Sequence, residues 1–139
     1  MSTVLSRLRG LSELEFWKNG REIRTALTRY LMNEKKVPKR WRFVFTIPGI
    51  NLAMKLMEEI TAANTIYPTS EEEVDQRRHH QNEAIIACEQ MIQHIQFMID
   101  TLDDCKIGDF EILEKMLCKE IALLKAWRKN NKVLPQKRG

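Results

Sequence analysis

VPKRWRFVFTIPGINLAMKLMEEITAANTIYP, Val37 to Pro68, is the stretch that decides the fold. It begins basic and aromatic, turns apolar and ends at a proline. Phe45, Leu52, Ala53, Leu56, Ile60, Ala63 and Tyr67 recur at helical spacing, which gathers side chains on one stripe of an α-helix. A helix with such a face needs other helices to cover it. Pro48 falls inside the pattern, where proline removes a backbone hydrogen bond and clashes with the carbonyl four residues earlier. Apolar periodicity continues on both sides, with Trp41, Val44 and Phe45 before and Leu52 and Leu56 after. The pattern therefore favours a kink over a break. The alternative is a helix that starts at Pro48 and leaves Lys39 to Ile47 as an extended basic arm.

Upstream, Ser12 with Glu15 three residues later has the form of a capping box, and Phe16, Ile23, Leu27, Tyr30 and Leu31 follow as a helical stripe. A helix is expected from Ser12 to Asn33. Gly20 weakens it by about 1 kcal/mol relative to alanine, and the close approach of another backbone would explain its presence. Residues 1–11 form an N-terminal arm, mobile or packed as a short segment.

Downstream, Thr69 or Ser70 caps a third helix, with Glu72 or Glu73 at the capping-box position and Glu71, Glu72, Glu73 and Asp75 against the positive end of the helix dipole. Its seam, Val74, Arg78, Gln81, Ile85, Cys88, Ile92, Ile95, Ile99 and Leu102, steps by fours and threes, a pattern that packs lengthwise on neighbouring helices. The early seam is polar, so this end either projects past the core or meets a polar partner. Gly108 breaks the pattern, Asp109 can cap a fourth helix, and Ile112, Leu113, Met116, Leu117, Leu124 and Trp127 form its stripe. The expected fold is all-α: an antiparallel up-down-up-down four-helix bundle over residues 12–132, with a disordered basic tail at 133–139.

The chain has 139 residues, 43% of them apolar, enough for one domain around one core. Five glycines and four prolines are few for a turn-rich β architecture. No apolar run is long enough to span a bilayer, and the N-terminus lacks the order of a signal peptide, so a cytoplasmic protein with no membrane partner is expected. Cys88, Cys105 and Cys118 have no close metal-type spacing and read as reduced, structural thiols. The net charge is +4, unevenly spread. Residues 21–42 hold eight basic and two acidic residues and residues 121–139 hold six basic and none acidic, whereas residues 43–120 hold six basic and fifteen acidic. Such polarity points to an anionic partner that touches defined regions.

Catalytic motifs are missing: the chain has no glycine-rich phosphate loop, nucleophile elbow or HExxH pair. His79 and His80 are adjacent, so on a helix they point about 100° apart and cannot chelate one metal. Helix-end charge and solvated faces account for Glu58, Glu59 and Glu71 to Glu73. A nuclease built on Arg77, Arg78 and His80 would lack a second acid or base. The reading is a protein without enzymatic activity, metal or cofactor. The basic features are stronger. Lys35, Lys36, Lys39, Arg40 and Arg42 are interleaved with Trp41 and Phe43, which suits phosphate contact with base stacking. Trp41 could equally pack in the core, since both roles use the same ring. Lys125, Arg128, Lys129 and Lys132 form a stripe at i, i+3, i+4 and i+7, and Arg21, Arg24, Arg77 and Arg78 could extend a basic surface.

From Gly20 to Leu102 the sequence resembles the small four-helix-bundle proteins that include the accessory variability determinant of diversity-generating retroelements. Proteins of the 23S ribosomal RNA intervening-sequence type belong to the same broad group. The resemblance rests on Val37-Pro38-Lys39-Arg40, on Ala62-Ala63-Asn64-Thr65-Ile66-Tyr67-Pro68 and on Arg77-Arg78 at the start of a long third helix. It implies a homopentameric barrel without an active site that binds a reverse transcriptase and the template-containing retroelement RNA, in support of mutagenic cDNA synthesis. The chain departs from that pattern in its N-terminal arm and its acidic 43–120 segment. The alternative is a structural or protein-interaction bundle whose basic residues serve solubility.

Overall fold

Four helices carry the chain: α1 (Glu15–Leu31), α2 (Ile47–Thr65), α3 (Glu71–Thr101) and α4 (Glu111–Lys129). The structure is a computed structural model and describes residues 3–136, among which there is no strand. Each helix packs on the next and α1 packs on α4, closing a four-helix bundle. Ile23, Leu27 and Leu31 of α1, Leu56 and Ile60 of α2, Met91 and Met98 of α3, and Leu117 and Leu124 of α4 fill its centre. The N-terminal arm is a packing segment. It makes short 3-10 turns at Ser6–Leu8 and Leu11–Glu13, and Val4, Leu8 and Leu11 lie on the core.

The start of α3 follows the sequence closely. Ser70 Oγ accepts the Glu73 N–H at 3.2 Å, while Glu73 Oε1 reaches back to the Thr69 hydroxyl at 2.7 Å and the Thr69 N–H at 3.1 Å. The start of α1 does not. Ser12 Oγ donates to Arg9 O at 2.6 Å instead of capping, and the α-helix begins at Glu15. Asp109 likewise does not cap α4; it sits in the 3-10 turn Ile107–Phe110, and α4 begins after Phe110.

Of the two expectations for Pro48, the second holds for the start of α2, which begins at Ile47 with Pro48 in its first turn, but Lys39 to Ile47 is not an extended arm. Lys39–Trp41 form a 3-10 turn and Arg42–Thr46 a π-helical turn that runs directly into α2, with Pro48 in the first α-helical turn. Ile47 N–H donates to Arg42 O, five residues back. Pro48 has no N–H for Val44 O, and its ring would crowd that carbonyl in a standard α-helix. Widening the preceding turn by one residue removes the conflict. Thr46 Oγ1 then donates to Leu31 O at 3.2 Å, satisfying a carbonyl at the end of α1.

The polar early seam of α3 finds its partner inside the chain. Gln81 is fully buried and exchanges two hydrogen bonds with Asn131, at 2.6 and 3.2 Å. Leu134 N–H donates to Pro68 O at 2.8 Å. The expected disordered tail is thus tied down at Leu134, and its residues 137–139 lie outside the described residues.

Gly20 is explained by a side chain, not by a backbone. A Cβ there would lie 2.9 Å from Glu120 Oε2 and 3.0 Å from Met57 Sδ. Glu120 is fully buried; its Oε1 accepts from Asn19 Nδ2 at 3.1 Å, the same amide donates to Met116 O at 2.9 Å, and Oε2 has no hydrogen-bond partner among the described residues. Burial raises the Glu120 carboxyl from 4.5 to about 8, against the opposing Asn19 hydrogen bond and the charge of Lys119. On α3 the charge of Glu120 reaches the Cys88 thiol, which burial already pushes up.

A carboxyl raised in the folded state costs nothing below its unfolded pKa, and the cost grows with pH until the folded pKa is passed. Stability measured by urea unfolding should therefore fall as pH rises from 5 to 8. Glu120→Gln should flatten that dependence and exceed the parent protein at pH 8 by about 2–5 kcal/mol. A variant that is less stable at pH 8 would contradict the buried acid.

Candidate nucleic-acid interface

The widened turn before α2 sorts its residues into two sets. Trp41 and Phe45 turn inward: their ring centroids lie 5.7 Å apart, and Phe45, fully buried, meets Phe97 at 4.8 Å and His94 at 5.9 Å. His94 Nε2 donates to Phe45 O at 2.9 Å, fixing the turn to α3. Trp41 is half-buried against this core, so its ring is held by packing. Phe43 points the other way and is 82% exposed. Val44 and Ile47 are exposed beside it in sequence. Phe43 stands between Arg40 and the apolar run as the free aromatic of this turn. From sequence Phe43 is, like Trp41, only interleaved with the basic residues; its offset from Trp41 and Phe45, which are spaced i, i+4, is the signal that separates them.

The basic residues of the turn divide in the same way. Lys35, Lys39 and Arg40 are exposed and make no ion pair among the described residues. Lys36 is committed internally: its Nζ lies 3.0 Å from Asp109 Oδ2 and 3.2 Å from Asp104 O. Tyr30 Oη donates to the same Asp109 oxygen at 2.8 Å. Hydrogen bonds from Lys36 and then Tyr30 hold the Asp109 carboxyl below the ordinary range, while burial pushes the Tyr30 phenol well above its own. Arg42 is half-buried, with Nη2 3.8 Å from Glu34 Oε1.

The start of α3 and the end of α4 come together, and most of their arginines are occupied there. The Arg77 guanidinium lies 5.3 Å from the Trp127 ring, which stacks on Phe16 at 4.0 Å. Burial lowers the Arg77 pKa, and its Nε has no hydrogen-bond partner among the described residues. Arg128 Nη1 donates to Asn82 Oδ1 at 2.8 Å, and Arg78 pairs with Asp75 at 3.1 Å. Lys125, Lys129 and Lys132 are exposed and unpaired among the described residues.

On α1, Arg21 and Arg24 are exposed, with Arg21 5.7 Å from the Trp17 ring. Arg21 also lines a shallow depression between α1 and α4 with Lys18, Arg29 and Glu22. Lys18 and Arg29 were not among the residues singled out from sequence, although positions 18, 21, 25 and 29 share one helical stripe. Among the described residues no cluster of histidine, cysteine or carboxylate side chains could hold a metal ion. His80 Nδ1 instead lies 2.7 Å from Glu59 Oε2. No helix is long and apolar enough to cross a membrane among the described residues. Compared with protein-family models, curated proteins and solved structures, the chain matches none.

This division makes opposite demands on neighbouring lysines. Lys36→Gln should lower the thermal midpoint by unpairing Asp109, whereas Lys39→Gln should leave it unchanged. Thermal melts of the two variants would check both. Equal midpoints in the two variants would show that the Lys36–Asp109 contact does not hold the fold.

Proposed function

We propose that the protein is a non-catalytic, nucleic-acid-binding accessory subunit of a diversity-generating retroelement, cytoplasmic, working with the reverse transcriptase on the template RNA. The observation that carries the binding part is the 82% exposed Phe43 ring on a turn hydrogen-bonded to α1 and α3, with Lys39 and Arg40, which make no ion pair among the described residues, beside it in sequence. Single-stranded nucleic acid is bound by this pairing of chemistries, cations on the phosphates and an aromatic face under a base. The exposed cations of α1 and of the α4 stripe supply further phosphate contacts. The retroelement context comes from the likeness of the 20–102 region. The cross-helix pairs Tyr30–Asp109, Glu59–His80 and Gln81–Asn131 support reading the bundle as antiparallel up-down-up-down, and assembly into a homopentamer belongs to the same proposal.

Binding of a labelled single-stranded RNA, followed by anisotropy at several salt concentrations, tests the binding part. Affinity should fall linearly with log salt. Lys39→Glu with Arg40→Glu should weaken binding at least about tenfold and make the salt slope shallower by about one to two. Phe43→Ala should weaken it by about five- to a hundredfold with the slope unchanged, the signature of lost stacking. Binding indifferent to salt and to all three substitutions would overturn the reading in favour of a protein-interaction bundle. Failure of the retroelement's reverse transcriptase to co-purify on co-expression would remove the retroelement context alone.

A further inference from the structure

Between α3 and α4 the bundle leaves a groove that its own side chains do not fill. Ile92, Ile95 and Ile99 form one wall, Phe110 and Leu117 the other, and Ile107, 73% exposed, stands at one end; the space between them is about 270 Å3 and opens to solvent. Glu111 and Glu114 stand on the α4 side, exposed and unpaired among the described residues. No cation lines it. Through Ile99 and Ile107 the groove continues into a shallower depression that carries Asp100, Asp103 and Lys106. Along the whole path four carboxylates face one ammonium. Gln96 Nε2 donates to Asp100 Oδ1 at 2.8 Å, which holds one of those carboxylates in place.

We propose that this groove is a docking site for a basic amphipathic helix of a protein partner. The shape fits a helix. Ile92, Ile95, Gln96 and Ile99 occupy positions i, i+3, i+4 and i+7 of α3, so the wall runs along about two helical turns, roughly 10 Å. A partner helix with apolar anchors at i, i+3 or i+4, and i+7 covers that length in the helix-in-groove mode. The charge selects which helix. Carboxylates on the rim repel phosphate, so neither nucleic acid nor an anionic lipid surface suits this site, and lysines or arginines flanking the partner's apolar stripe complement it. Rim charges of this kind steer association and set salt dependence, while the exposed Ile107 and the partly exposed Ile92 and Ile99 supply the apolar contact, Ile95, Phe110 and Leu117 being already buried in the bundle. The site therefore has the opposite sign to the Lys39–Arg40 turn. It goes beyond the nucleic-acid reading and stands without it.

The probe is a labelled synthetic helix of about 18 residues with leucines at i, i+3 and i+7 and lysines flanking them, set against the same peptide with glutamates in place of the lysines. The full-length protein should bind the lysine peptide with micromolar affinity, weakening as salt rises, and should not bind the glutamate peptide. Glu111→Lys with Glu114→Lys should weaken the lysine peptide at least about tenfold and give measurable binding to the glutamate peptide. Ile107→Ser should weaken the lysine peptide without changing its salt dependence. All three positions are exposed, so circular dichroism should show the parent fold, and RNA affinity should be unchanged in Ile107→Ser, which leaves the charge as it is. Equal binding of both peptides, no binding of either at millimolar concentration, or indifference to the charge reversal would overturn the proposal. So would a change in sedimentation mass caused by Ile107→Ser, which would seat a second copy of the chain in the groove.

Discussion

The missing N–H of Pro48 governs the geometry of the region on which the functional reading rests. A standard α-helix through this stretch would leave the Val44 carbonyl without a donor and press a ring against it. The chain answers with a turn one residue wider, closed by Ile47 N–H on Arg42 O. The extra residue rotates what precedes it relative to α2. Phe45 and Trp41 then meet the core, while Phe43 faces outward. Thr46 and His94 clamp the turn from two sides, through Leu31 O and Phe45 O. An exposed aromatic on so constrained a backbone loses little conformational freedom when it meets a ligand, which is why preorganised rings bind well.

Two buried polar contacts set how the helices sit on one another. Asn19 spans from α1 to both Met116 O and Glu120 on α4, and Gly20 leaves room for that carboxyl. Gln81 and Asn131 pair reciprocally between α3 and the residues after α4. A purely apolar interface tolerates sliding by a turn, whereas a slide here would leave buried amides unpaired at a cost of about 1–3 kcal/mol each. The two contacts differ in completeness. The amide pair satisfies its partners, while Glu120 keeps one oxygen unpartnered, so the α1–α4 contact holds its position at some expense in stability.

Helical periodicity made the four helices and most of their core legible, because a stripe at three- and four-residue steps leaves few other structures to adopt. The α3 capping box was equally readable, being local. What could not be read depended on a competing local bond or on a distant partner. Ser12 turned to Arg9 O, three residues back, instead of capping, and the polar seam at Gln81 was met by Asn131, fifty residues away in sequence. Glu120 was hidden by chemistry: it occupies a core position between Leu117 and Leu124, where periodicity expects an apolar residue. Of the basic candidates, sequence identified the clusters but not their division. Whether Lys36 or Lys39 faces solvent depends on where Asp109 sits, and nothing near either lysine in sequence reports that.

The clasp after α4 has a consequence for how the molecule comes apart. Leu134 on Pro68, with Asn131 on Gln81, joins the end of the described chain to the start of α3, so α3 and α4 lie within a loop closed by backbone and side-chain hydrogen bonds. Releasing α4 from that end requires these hydrogen bonds to break. In hydrogen exchange the amides at the end of α4 would then be protected along with those at the start of α3, where an untethered helix end would fray.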